Sequence, residues 1–159
     1  MNARIDLMHV NPGIIQAMLG LERQVRHAGL EERLLDLVRM RASQINGCSY
    51  CLDMHSKDAR ANGETEQRLY GLSAWRETPY YSERERAALE WTEALTLVSE
   101  SHVPDAVFER VREQFSEDEL AHLSLAIVAI NGWNRLNVAA RTVPGGYVAG
   151  SLAKPHATV

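Results

Sequence analysis

The stretch Leu34-Leu-Asp-Leu-Val-Arg-Met-Arg-Ala-Ser-Gln-Ile-Asn-Gly-Cys48-Ser-Tyr-Cys51-Leu-Asp-Met-His55-Ser-Lys-Asp-Ala-Arg-Ala-Asn-Gly63 decides the fold. In its first half Leu34, Leu35, Leu37, Val38, Met40, Ala42 and Ile45 recur at helical spacing, and Asn46-Gly47 closes the run with a pair that tolerates a left-handed backbone. The second half predicts a further helix from about Cys48 to Asn62, stopped by Gly63. Two helices joined by a tight turn therefore hold two cysteines at the start of the second.

The same punctuation continues on both sides. Asn11-Pro12 is a cap followed by a proline at the first helical position, and Ile14, Ile15, Met18, Leu19, Leu21 and Val25 follow until Gly29. A short helix is expected from Glu66 to Trp75, ended before Pro79. Ser82-Glu-Arg-Glu85 and Ser116-Glu-Asp-Glu119 are capping boxes, in which serine and glutamate reciprocally satisfy free amides of a first turn. Between them Pro104 opens a helix carrying Val107, Val111 and Phe115. The last box opens a run, Leu120 to Ile130, that is apolar nearly all round and belongs at the centre or in a subunit contact. Strand alternation is missing throughout, so the expectation is an all-α protein of six or seven helices. It is a single domain over 1–159, with a core at about 11–100, C-terminal helices at about 104–142 and an irregular tail at 143–159.

Composition narrows the function. The chain has 159 residues, 45% apolar and 24% charged, enough for a core without disulfide scaffolding. A net charge of -4 argues against nucleic acid and anionic lipid as partners. The longest apolar run, Leu125 to Ile130, is about a third of the roughly 20 residues a membrane span requires. The N-terminus shows no basic leader with a long apolar stretch, so a cytoplasmic protein is expected.

On an ideal helix Cys51 lies about 60° from Cys48 and His55 about 20° from it, so all three share a face. Unpaired amides at a helix start favour a thiolate, and neutral imidazole one turn on can accept or deliver a proton. That pairing suits peroxide reduction: a thiolate attacks the O–O bond, a sulfenic acid forms, and the second cysteine condenses with it. A structural zinc site would want four ligands, and His9, His27, His102, His122 and His156 lack the spacing, so no metal and no organic cofactor is expected. A thioredoxin-type fold would need strands around the cysteines.

From Leu34 to Gly63 the sequence resembles the AhpD-like alkylhydroperoxidases of the carboxymuconolactone decarboxylase superfamily. The likeness extends through Glu64-Thr-Glu-Gln-Arg-Leu-Tyr70, Ala74-Trp-Arg-Glu-Thr-Pro79, Ser82 to Leu89 and Ala129-Ile-Asn-Gly-Trp-Asn-Arg135, and ends near Arg141. It implies that Cys51 is the peroxidatic thiol, Cys48 the resolving thiol and His55 part of a proton relay. It also implies an acid twelve residues before the first cysteine, where this chain has Asp36 in place of the family's usual Glu. Tyr50 departs from members with His between the cysteines; ideal geometry turns it away from the cysteine face, which suits packing. The resemblance further implies a homo-oligomer, trimer or hexamer, and a lipoyl-bearing or thioredoxin-like reductant. The rivals are a disulfide oxidoreductase or redox sensor that turns over no peroxide, and a non-enzymatic helical assembly.

Elsewhere, Trp75, Trp91, Trp133, Met8, Met18, Met40 and Met54 are expected in the core or in subunit contacts. Arg39 and Arg41 are expected as surface charges, and Asn131, Trp133, Asn134 and Arg135 as a polar break needing hydrogen-bond partners.

Overall fold

The structure, a computed structural model, describes residues 2–151. The last eight residues of the tail, His156 included, lie outside the described residues. Among those described, nine α-helices and one 3₁₀ segment form an all-α fold with no strand. The count exceeds six or seven because of two one-turn helices, α1 (Leu7–Val10) and α7 (Val98–Ser101). Neither buries a residue, so no apolar period marks them.

The middle of the fold is α3 (Glu32–Asn46), packed against α4 (Ser49–Ala61), α6 (Glu83–Thr96) and α9 (Glu117–Ala140). One side of α3 supplies Leu34, Leu35 and Val38 to a cluster completed by Val25 of α2 (Pro12–His27), Trp91 of α6 and Leu123 and Ile127 of α9. The other supplies Leu37 and Met40 to a cluster with Ala59 of α4, Leu69 of α5 (Glu66–Gly71), Leu72, Trp75 and Leu89. With apolar groups on both sides, α3 holds the two halves together. Each such leucine contributes about 2 kcal/mol on burial.

The expected helix from Glu66 to Trp75 divides. After α5 the chain tightens into a 3₁₀ segment, Leu72–Glu77, with Ala74 at φ -116°. Three-residue turns eclipse i and i+3, which puts both Leu72 and Trp75 inside. Similarly, α8 (Asp105–Arg112) stops short of Phe115, whose buried ring sits in the following turn while Arg112 donates to its carbonyl at 2.7 Å.

Both capping boxes form, on α6 and α9. The central position expected of α9 holds, since it packs on α2, α3, α4, α6 and α8, but its cover is incomplete: Val128 and Val138 are exposed. Met8 is also exposed, against expectation, because α1 lies on the surface. Trp75, Trp91 and Met40 are core residues, and the half-buried Trp133 donates to Glu22 at 3.1 Å.

The polar break in α9 finds its partners on α3. The amide of Asn46 donates to the side-chain oxygens of Asn131 (3.0 Å) and Asn134 (2.9 Å), and Asn134 donates to Ser43 Oγ at 3.0 Å. Asn131 also donates to Thr96 Oγ1 of α6 at 3.0 Å. This is a satisfied polar bolt across three helices, which fixes their register in a way apolar contacts do not.

Candidate functional site

Local backbone chemistry aims the cysteines. Gly47 takes φ 64°, a left-handed conformation that glycine enters without a side-chain clash, and ends α3 with its own amide on Gln44 and that of Cys48 on Ser43. The chain reverses there and Cys48 becomes the N-cap of α4, its sulfur accepting the amide of Cys51 at 3.4 Å. Cys48 and Cys51 are joined in a disulfide, Cα to Cα 5.3 Å, and both are buried. The predicted one-turn spacing thus brings the two sulfurs into bonding contact.

His55 stands one turn beyond Cys51 and is buried. Burial, reinforced by the positive charge of Arg39, pushes its pKa down to about 3, so the imidazole is neutral at ordinary pH. Asp36 is buried rather than a solvated charge. Its carboxylate accepts from Asn62 at 2.8 Å and lies 3.7 Å from Arg39. Burial raises its pKa to about 6, with the Asn62 hydrogen bond and Arg39 opposing.

No hydrogen bond joins Asp36 to His55 among the described residues. Arg39 is the group whose charge reaches both. The expectation that Arg39 is a surface charge is corrected here: its guanidinium is buried, 2.6 Å from Glu32 and 3.8 Å from Glu22. Three carboxylates around it compensate the desolvation, which is why the sequence can place it inside. Arg41 is likewise half-buried, paired with Glu93 at 2.8 Å.

Two contributors escaped the sequence. Asn137 of α9 reaches Cys51 with its Nδ2, 3.7 Å from the sulfur, while also donating to Trp133 O. A small depression also opens beside Cys48, lined by Gly47, Tyr50, Asn137, Arg141 and Thr142 among others, and Arg141 is its one charged lining residue among those described. Tyr50, expected to turn away, is at this mouth. Burial and Asp53 raise its phenol, leaving a neutral hydroxyl. Helical spacing pointed to neither Asn137 nor Arg141 because the end of α9 meets the cysteines only in three dimensions.

The chain after α9 crosses the outer side of α4. Tyr147 donates to the carboxylate of Asp58 at 2.9 Å, the amide of Gly145 to Asp53 at 3.0 Å, and Lys57 to the carbonyl of Tyr147 at 3.0 Å. The tail expected to be irregular is, up to Ser151, a strap over the cysteine helix. Among the described residues no group of three or more His, Cys, Asp or Glu side chains is placed to hold a metal ion.

The carboxymuconolactone decarboxylase family model matches residues 12–94, the segment that holds both cysteines, His55 and Asp36. The chain belongs to that family. Within this family its likeness is to the AhpD-like members. The uncharacterized protein YdfG of Bacillus subtilis (strain 168) is 41% identical over 139 residues, 87% of this chain and 95% of that one. A crystal structure from Agrobacterium tumefaciens, of a protein of unknown function for which an antioxidant-defence role as an AhpD has been suggested, superposes with TM-score 0.89 at 42% identity. It covers 92% of this chain and 100% of that one. The debrominase Bmp8 shares the fold, with TM-score 0.74 at 23% identity over 87% of this chain and 75% of its own. A fold does not fix a chemistry, so the reading of function rests on the cysteine pair rather than on the fold.

Proposed function

We propose that this chain is a thiol-dependent peroxidase that reduces organic hydroperoxides. The observation that carries the proposal is the bonded pair Cys48–Cys51 at a helix start, one turn from a buried, neutral imidazole. In the reduced state the Cys51 thiolate attacks the hydroperoxide oxygen; the O–O bond breaks, the sulfur becomes a sulfenic acid, and the alcohol leaves with a proton. Cys48 then attacks the sulfenic sulfur, releasing water and closing the disulfide. His55 takes the thiol proton and passes it to the departing alkoxide. Because burial disfavours its cation, the imidazole passes the proton in step with cleavage of the O–O bond, without an imidazolium that accumulates. Asp36 acts at one remove, holding Arg39 in place beside the imidazole, and Asn137 donates to the thiolate form of Cys51.

Two electrons must return from thiols, and a lipoyl-bearing or thioredoxin-like protein of the same compartment is a fitting donor. We expect a cytoplasmic homo-oligomer, trimer or hexamer; the exposed Val128 and Val138 of α9 are apolar surface that association would cover. One observation favours a second reading, thiol–disulfide exchange without peroxide: the depression opens on Cys48 and not on Cys51.

The test is a titration of reduced protein with cumene hydroperoxide, read by intact mass, beside Cys48→Ser and Cys51→Ser. Sulfenic acid should accumulate in Cys48→Ser while Cys51→Ser stays unoxidised. The reversed pattern exchanges the two roles, and wild type oxidised no faster than free cysteine leaves only the exchange reading.

A further inference from the structure

The depression beside Cys48 is chemically uneven. Its floor is the turn Gly47–Tyr50, its opposite wall is the end of α9 and the turn beyond it, and Cys48, though itself buried, is the cysteine that lines it. Cys51, equally buried, does not line it and has the Asn137 amide on its sulfur. Arg141 caps α9 in a left-handed backbone, φ 54°, its amide bound to the carbonyls of Asn137 and Val138. That cap fixes where the side chain leaves the helix. The guanidinium has no carboxylate within ion-pair distance among the described residues, whereas Arg39, Arg41, Arg68 and Arg84 are all paired. Arg141 is exposed and is the one charged residue lining the depression, so it is the positive group beside whatever enters. The other polar groups at the mouth are neutral: the Tyr50 phenol, whose pKa is raised, and the Thr142 hydroxyl.

We propose that this depression seats a small thiol carrying an anionic group, the anion against Arg141 and the thiolate facing Cys48 Sγ. The proposal rests on the redox reading of the cysteine pair and names the reductant chemistry that the site accepts. The incoming thiolate bonds to Cys48 Sγ and the S48–S51 bond breaks; Cys51 leaves as a thiolate, stabilised by the Asn137 amide and the free amides of the first turn of α4. A second equivalent of the same thiol attacks the mixed disulfide, freeing Cys48 and leaving as the oxidised dimer. Two thiols are oxidised and one protein disulfide is reduced. The order follows from the surroundings of the two sulfurs, since the cysteine that lines the depression is attacked and the sulfur with the hydrogen-bond donor departs.

The experiment opens the disulfide of the oxidised protein with 3-mercaptopropionate, which is anionic, or with 2-mercaptoethanol, which is neutral. Rates per thiolate are read by acid quench, alkylation and intact mass. A full charge at contact distance in water changes the rate ratio of the two thiols by about fivefold. We expect that loss of preference for the anionic thiol in Arg141→Gln, its retention in Arg141→Lys, and its decline in wild type at about 0.5 M salt. Fragment masses of the trapped intermediate should show the thiol on Cys48 and the alkyl group on Cys51. An unchanged ratio in Arg141→Gln overturns the anion site, and an adduct on Cys51 overturns the direction of attack. A wild-type disulfide that neither thiol opens defeats the redox reading itself, and this proposal with it.

Discussion

The side-chain amide of Asn137 lies 3.7 Å from the sulfur of Cys51, although 86 residues separate them in the chain. The contact ties the C-terminal half of α9 to the chemistry at the start of α4. It also gives a buried sulfur a hydrogen-bond donor where solvent supplies none. Replacing Asn137 with Leu removes that donor and should raise the Cys51 thiol pKa in the reduced protein by about one unit, the value of one hydrogen bond to a charged acceptor. Thiolate absorbance against pH, taken in a Cys48→Ser background so that a single thiol titrates, measures it. An unshifted titration shows that the amide does not serve the thiolate.

Two buried groups make opposite contributions to acid stability. Asp36 is raised to about 6 by burial, so the folded state holds its proton more tightly than the unfolded chain. The stabilisation this gives, about 3 kcal/mol, is complete below the unfolded carboxylate range and is lost as pH rises through about 6. His55 is lowered to about 3 by burial and then by Arg39, so its contribution is present above the unfolded histidine range and declines as pH falls. Urea unfolding at steps between about pH 4 and pH 7 should show Asp36→Asn less stabilised by acid than wild type. His55→Gln should be less destabilised by acid, and identical slopes in all three proteins contradict both assignments.

The asparagine bolt predicts a large structural effect far from any reactive atom. Asn134→Leu leaves the amide of Asn46 and the hydroxyl of Ser43 short of a partner inside the fold. We expect a loss of about 2 to 4 kcal/mol in denaturant unfolding, against less than 1 for a change such as Arg26→Ala on the exposed side of α2. A double change, Asn46→Leu with Asn134→Leu, should cost less than the sum of the singles, because both partners of one bond are then gone.

The strap supplies a fourth test. Tyr147→Phe removes the hydroxyl that donates to Asp58. Global stability should fall by only about 1 kcal/mol. Hydrogen exchange should quicken in residues 143–151 and along the outer face of α4, while α3 is unaffected. Equal acceleration throughout the molecule contradicts a local clasp.

Most of the architecture was legible because its signals are local. Proline at the start of α2, two serine–glutamate boxes and glycines at helix ends are chemistry within four residues of a terminus, and each marked a helix that forms. The break after Gly71 was not legible, since the reward for tightening into a 3₁₀ turn is the burial of Leu72 and Trp75 against α3 and α6, a tertiary gain. The site divides in the same way. Cys48, Cys51 and His55 sit on one helix, so spacing alone set them together. Arg39 looked like a surface charge because its partners, the half-buried Glu22 and the exposed Glu32, reach it from other turns. Asn137 carried no spacing relation to the cysteines at all.

The strap over α4 bears on how a disulfide can open there. Breaking the bond requires the sulfurs to part by more than an ångström, and α4 is enclosed by α3 and α9 inside and by residues 145–150 outside. A cylinder gripped along its length does not slide, so the travel falls to torsions about Cα–Cβ within a single winding, Cys48 to Cys51. The proposed redox cycle would then alternate between two side-chain settings on a stationary backbone, each turn of it starting from the same scaffold.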